Sequence, residues 1–211
     1  MKKLISVSLI LVLILSLFAG CGAESSSDAY RIAIVQQLDH SSLNEIRDAV
    51  KAQLDAKAAE LGIEVEYKDF NGQNDASVLN QIGAQVVSDG YDLIIPIATL
   101  AAQCMVTAAE GTDIPIVFAA VSDPEGAGLT GLDNVTGTSD ALNTPFILDM
   151  MRAVQSDVQT VGLLYSNSEP NSQEPIRQAK EYLDAQGIAY LEKTGNTTDE
   201  IIAAASSLAG R

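Results

Sequence analysis

Thr99 stands directly after an uncharged run, Leu93-Ile-Ile-Pro-Ile-Ala98, and directly before an apolar helical segment reaching about Glu110. A helix starting there aims free backbone N–H groups, with about half a positive charge from the aligned peptide dipoles, past the end of the strand. That spot suits a carboxylate. Thr99, Ala101 and Ala102 are its candidate residues, because small side chains let a ligand approach the backbone. The alternative is that Thr99 is an ordinary helix cap. Asp123, or Asp140 with Ser139, can hold an ammonium group, since a partly buried carboxylate favours a paired cation. Asp123 can equally be a turn residue before Pro124, and Asp140 a cap for the following helix. Asp140 lies where the chain crosses between its two halves and is the preferred of the two. Asn167, Ser168 and Glu169 follow a later strand and either clamp a ligand's polar atoms or cap a helix from Asn171. Taken together, these groups suit the capture of a small zwitterion better than the breaking of a bond.

Other chemistries find little support. His40 is the only histidine, so neither a multi-histidine metal site nor a histidine-based triad with an evident partner is available. No P-loop, paired-cysteine or zinc-helix pattern occurs, and no metal or cofactor is expected. Gly126-Ala-Gly128-Leu-Thr-Gly131 matches G-x-G-x-x-G but neither follows a strand directly nor opens a helix. It reads as a glycine-rich turn and not a dinucleotide site. The formal charge of −16 argues against nucleic-acid binding, which needs a basic face, and against loose electrostatic attachment to anionic membranes.

The elements that must position these residues alternate. Arg31–Val35 reads as a buried strand, with a helix from a Ser41 or Ser42 cap to about Leu61, ended by Gly62. Residues 63–70 alternate as a strand. A helix starts at Asn74 or Asp75, carries Val78, Leu79, Ile82 and Val86 on one face, and ends at Gly90. Strands follow at 93–98, 114–121 and 135–138, with the Thr99 helix after the first of them. This β-α-β rhythm with short joints predicts a doubly wound parallel sheet. After residue 140 it begins again: helix 145–156, strand 160–165, helix 171–186, strand 188–191, helix 197–209.

The two halves share an ordered set of features. The interval from Ile34 to Ile46-Arg47 matches that from Leu164 to Ile176-Arg177. Both helices end at Gly-Ile (Gly62-Ile63, Gly187-Ile188), and both second strands enter a Gly-containing polar turn, Asn71-Gly-Gln-Asn and Thr194-Gly-Asn-Thr. The pattern predicts two similar α/β lobes, residues 30–141 and 142–211. The alternative is that any two βαβ units look alike. In the second half the sequence stops where a central third strand would come, so the second lobe is expected to be incomplete and the chain truncated.

Residues 1–20 have the layout of an export signal: Lys2 and Lys3, then an uncharged run over 4–20 ending in small residues. The run is marginal for a bilayer span. Phe18-Ala-Gly-Cys21 resembles the bacterial lipoprotein signal, although the pattern usually has a smaller aliphatic residue at Phe18; the resemblance implies lipidation of Cys21. Residues 21–29 then form a small, polar, lipidated tether. Cys104, in an apolar helical segment, is expected to be a buried free thiol.

The order of several short motifs carries a family resemblance. They are Gln36-Gln37-Leu-Asp-His40, Ala98-Thr-Leu-Ala-Ala-Gln103, Phe118-Ala-Ala-Val-Ser-Asp-Pro124, Gly126-Ala-Gly128-Leu, Asn134-Val-Thr-Gly137, Ser139-Asp140 and Leu164-Tyr-Ser-Asn-Ser-Glu-Pro-Asn-Ser172. Over residues 17–210 the chain resembles the ABC-transporter substrate-binding lipoproteins of the tryptophan/tyrosine-type group. The resemblance implies a type I periplasmic-binding-protein fold, in which two Rossmann-like lobes close on an amino acid-like ligand, aromatic in better-known members. It implies an extracytoplasmic, lipid-anchored protein that hands its ligand to ABC permease subunits. It also makes Gln37 and His40, after the first strand, cleft residues; the alternative is a solvated loop with a helix-capping role. The chain departs from the family in having Leu100 where proline is usual, and in lacking the family's C-terminal region. Two alternatives are a binding module that signals and, on fold analogy alone, an exported α/β enzyme.

Overall fold

A computed structural model of the protein describes residues 29–209. The signal segment, Cys21 and all of the tether except Ala29 lie outside the described residues.

The first unit is a five-stranded sheet. Its strands are β1 (Tyr30–Gln36), β2 (Val65–Asn71), β3 (Leu93–Ile97), β4 (Ile116–Val121) and β5 (Val135–Ser139). Their spatial order is β2-β1-β3-β4-β5, and every pairing is parallel. The central strands β1 and β3 read as near-continuous apolar runs because helices cover both faces. The edge strand β2 alternates polar and half-buried residues instead. Side chains along a strand point to alternate faces. Ile32 and Ile34 therefore pack against Leu43, Ile46, Val50 and Leu54 of helix α1 (Ser41–Leu61). Ala33 and Val35 face the opposite way, toward Leu79 and Val86 of α2 (Ala76–Asp89) and Ala101 and Met105 of α3 (Thr99–Ala108). The sheet is thus doubly wound, as expected.

The second unit comprises α4 (Thr144–Val154), β6 (Thr160–Tyr165), a 3-10 turn at Pro170–Ser172, α5 (Gln173–Gln186), β7 (Ala189–Thr194) and α6 (Thr198–Ala209). β6 and β7 form a separate parallel pair, and Leu148, Leu163, Ala179 and Leu183 make its core.

The repeat seen in the sequence recurs in the hydrogen bonds. Gly62 and Gly187 both adopt left-handed backbone as helix C-caps (φ 66° and 65°), a conformation in which glycine carries no Cβ penalty. The next residue donates to the equivalent carbonyl in each unit, Ile63 to Ala58 and Ile188 to Leu183. Likewise Gly72 N–H donates to Gln36 O at 2.8 Å, and Gly195 N–H to Tyr165 O at 3.1 Å, each tying the turn after the second strand to the end of the first.

Most helix starts differ from expectation, while at α2 one of the two expected residues, Asp75, is the cap. His40, and not Ser41 or Ser42, caps α1: its Nδ1 accepts from Ser42 N–H at 3.3 Å. Asp75 caps α2, and Asn74 lies outside that helix. Ala98 occupies the cap position of α3, with Thr99 inside the helix and no side-chain cap. Asn143, not Asp140, caps α4. Glu169 precedes the 3-10 turn without capping it, and α5 begins after Asn171, at Gln173. Except at α3, where Thr99 is the only polar side chain nearby, several polar residues stand near each helix start. Which one captures the free N–H depends on how the preceding strand delivers the chain.

Candidate ligand-binding site

Parallel strands deliver their carboxyl ends to one side, and the loops there carry the chemistry. At the end of β1, Gln37 is 4% exposed despite its amide. Its Oε1 accepts from Leu100 N–H at 3.0 Å. Its Nε2 donates to Asn74 Oδ1 at 2.8 Å and to Glu169 Oε2 at 3.0 Å. Asn74 Nδ2 in turn donates to Glu169 Oε1 at 2.8 Å. Three residues from three loops thus close a ring, and one of them, Glu169, belongs to the second unit.

The start of α3 is short of partners. Ala98 has φ 77°, and as the cap residue it offers no side-chain acceptor to the helix. Leu100 N–H is taken by Gln37, and Ala102 N–H by Ala98 O, so Ala102 does not offer a free donor as the sequence suggested. The amides of Thr99 and Ala101 have no acceptor among the described residues. Thr99 is 4% exposed, and its Oγ1 has no hydrogen-bond partner among the described residues. Buried polar groups are seldom left so, because each unpaired one costs about 1–3 kcal/mol. Ala101 and Ala102 turn their methyl groups into the core.

A cavity of about 430 Å³ opens beside this helix start, between the two units. Thr99, Gln103 and Asp123 line it from the first unit; Asn171, Glu174 and Arg177 line it from the second. Glu174 is held at a pKa of about 2, chiefly by hydrogen bonds from Arg177 and then from Gln178. Arg177 also reaches Glu181, so its charge is already shared between two carboxylates. A hollow of about 520 Å³ between α1 and the sheet is lined by Val50, Leu54, Ile95 and Val117, with Gln53 and Thr138 as its only polar side chains. It offers a zwitterion little to hold.

The remaining candidates disperse. Asp123 lines the cleft while its Oδ1 accepts from Gly126 N–H at 2.9 Å, which makes it a turn residue as well. Asp140 is exposed and accepts from Ser122 Oγ at 3.0 Å, and Ser139 Oγ accepts from Ala141 N–H. Neither Ser139 nor Asp140 belongs to the cavity wall. His40 is exposed at its capping position. Asn167 and Ser168 gather around Asn196 Oδ1, to which Asn167 N–H donates at 3.2 Å and Ser168 Oγ at 3.4 Å. Asn74, Gln103 and Arg177 escaped functional notice in the sequence. Asn74 was legible only through its place in the polar turn after the second strand. Gln103 stood at the end of the Ala98–Gln103 motif and Arg177 in the Ile176-Arg177 repeat, but neither pattern pointed to a role for the side chain. Among the described residues no group of acidic, histidine and cysteine side chains could hold a metal ion.

Two parallel-sheet units facing each other across a polar cleft define a type I periplasmic-binding fold, a class that grips small ligands between lobes. Residues 31–211 match the family described as ABC transporter substrate binding protein, and the chain belongs to that family. It is 31% identical to a tyrosine-binding protein of Clostridioides difficile (strain R20291), covering all of this chain and 65% of the relative. It is 31% identical to an ABC domain from Streptococcus pneumonia solved in complex with L-Trp, covering 85% of this chain and 62% of that one, with a TM-score of 0.75. A leucine binding protein of Thermotoga maritima shares the fold at 15% identity and a TM-score of 0.68. The chain therefore spans just under two thirds of the length of the first two. The relatives are binding proteins and not enzymes.

Proposed function

We propose that this chain is the ligand-gripping part of an extracytoplasmic, lipid-anchored binding protein that delivers an amino acid to an ABC importer. Residues 30–141 and 142–211 act as the two lobes, residues 1–20 as the export signal and Cys21 as the lipid attachment point. The ligand's carboxylate sits at the start of α3 on Thr99 Oγ1 and the free Thr99 and Ala101 amides. Asp123, in the same cavity wall, receives the ammonium group. One relative is a tyrosine-binding protein and another was solved with L-Trp bound, which supports an amino acid as the ligand class.

The observation that carries this reading is Thr99: a buried hydroxyl without a partner among the described residues, at a helix start whose cap residue has no side-chain acceptor, in a cleft between two lobes. Such a group is costly unless something completes it, and a carboxylate does so well. Calorimetry of the full-length polypeptide against the amino acids tests the reading. Saturable binding without product formation is expected; no heat with any amino acid overturns it.

A further inference from the structure

We propose that Gln37, Asn74 and Glu169 form a latch that draws the two units together before any ligand arrives, and that sets how tightly the closed form holds it. The inference rests on the two-lobe reading above but needs no particular ligand. Glu169 offers a carboxylate from the second unit. Gln37 and Asn74 meet it with one amide hydrogen each, at 3.0 and 2.8 Å, and are themselves joined at 2.8 Å. Hydrogen bonds to a carboxylate are stronger than neutral ones, and a closed ring leaves few donors unmet. Neither Asn74 nor Glu169 fixes a helix start: Asp75, not Asn74, caps α2, and Glu169 makes no side-chain cap. Their shared feature is that they join one unit to the other.

The first-unit half of the latch is built in advance. Gln73 and Asn74 both have positive φ, 54° and 56°, a rare state for consecutive non-glycine residues and one that clusters at functional sites. The turn is held by Asn71 Oδ1, which accepts from Gln73 N–H, and by Gln37 O, which accepts from Asn74 N–H, each at 2.8 Å. Backbone and side chain of Asn74 are thus both pinned to Gln37. Gln37 also holds Leu100 N–H in the first turn of α3. The latch and the proposed carboxylate site therefore share one buried side chain, and closure and ligand seating are mechanically joined there.

The test is small-angle X-ray scattering of the ligand-free full-length polypeptide, combined with dissociation kinetics using L-tyrosine and L-tryptophan as probes. Asn74→Gly keeps the left-handed backbone but removes the arm. Asn74→Asp sets a second carboxylate against Glu169. Both should raise the ligand-free radius of gyration, and Asn74→Gly should speed dissociation on the order of ten-fold. The double variant Asn74→Asp/Glu169→Gln exchanges amide and carboxylate while preserving the ring, and should restore the compact radius. A purely structural role for Asn74 would give no such restoration. Parental radii in both single variants, or an expanded double variant, overturn the latch. A changed radius with unchanged dissociation overturns its control of affinity. The scattering result is independent of which amino acid binds, so a failed ligand assignment cannot be mistaken for a failed latch.

Discussion

A Cβ placed on Gly72 would lie 2.3 Å from Leu79 Cδ2 and 2.9 Å from the carbonyl oxygen of Gln37. Leu79 is fully buried and central to the core beneath α2, while Gln37 belongs to the interlobe ring. The one position thus joins core packing to the geometry of the cleft.

Gly72→Ala should therefore destabilise the protein by about 1–3 kcal/mol, the usual cost of overpacking a filled site. Gly62→Ala is the comparison: its Cβ meets nothing within 4 Å, and only its φ of 66° resists substitution. It should cost about 1 kcal/mol. Urea unfolding checks both, and equal losses would show that the Leu79 contact is not decisive.

Thr99→Val separates stability from binding. The valine is of similar shape and removes a buried hydroxyl that has no partner. Stability should hold or rise slightly, because no hydrogen bond is lost. Affinity for the bound amino acid should fall about ten-fold, which is about 1.4 kcal/mol and close to the lower end for one hydrogen bond to a charged group. Thr99→Ser should retain most of the binding. Thermal unfolding and calorimetry on the same samples provide the comparison, and unchanged affinity in Thr99→Val would remove Thr99 from the site.

The fold was largely legible because apolar runs at 31–35 and 93–98 can be satisfied only by strands covered on both faces, and the glycines at 62, 90 and 187 end helices by backbone necessity. Cys104 also matched expectation: it is buried in α3, where burial pushes its thiol pKa up. Caps were less legible. At 40–42 three residues compete for the same free amides, and it is His40, in extended backbone, whose side chain accepts from Ser42 N–H. The candidate residues were legible by location, since Gln37, Thr99, Asp123 and Glu169 all follow strand ends. Its wiring was not. Asn74 acquires its meaning from Glu169, 95 residues away, and no local spacing reports that.

Burial also predicts the reactivity of Cys104. A thiol in the core with a raised pKa is neither exposed nor ionised near neutral pH. A disulfide reagent should leave Cys104 unmodified in native protein and modify it rapidly in urea, as read by mass spectrometry of the peptide containing it. Rapid native labelling would mean that α3 opens readily.

The cleft-lining pair Glu174 and Arg177 gives a pH signature. Hydrogen bonds from Arg177, then Gln178, depress the Glu174 pKa from 4.5 to about 2. The folded state therefore holds this carboxylate charged where the unfolded chain protonates it. The resulting stabilisation is fully present above pH 4.5 and is lost as pH falls toward about 2. Because Arg177 is half-exposed, solvent screening keeps the contribution small. NMR titration of the Glu174 carboxyl should show a midpoint near 2 in the parent. In Arg177→Gln the midpoint should rise toward 4.5, since the principal donor is gone and only Gln178 remains. A midpoint near 4.5 in the parent would mean that the Glu174–Arg177 pair is open in solution.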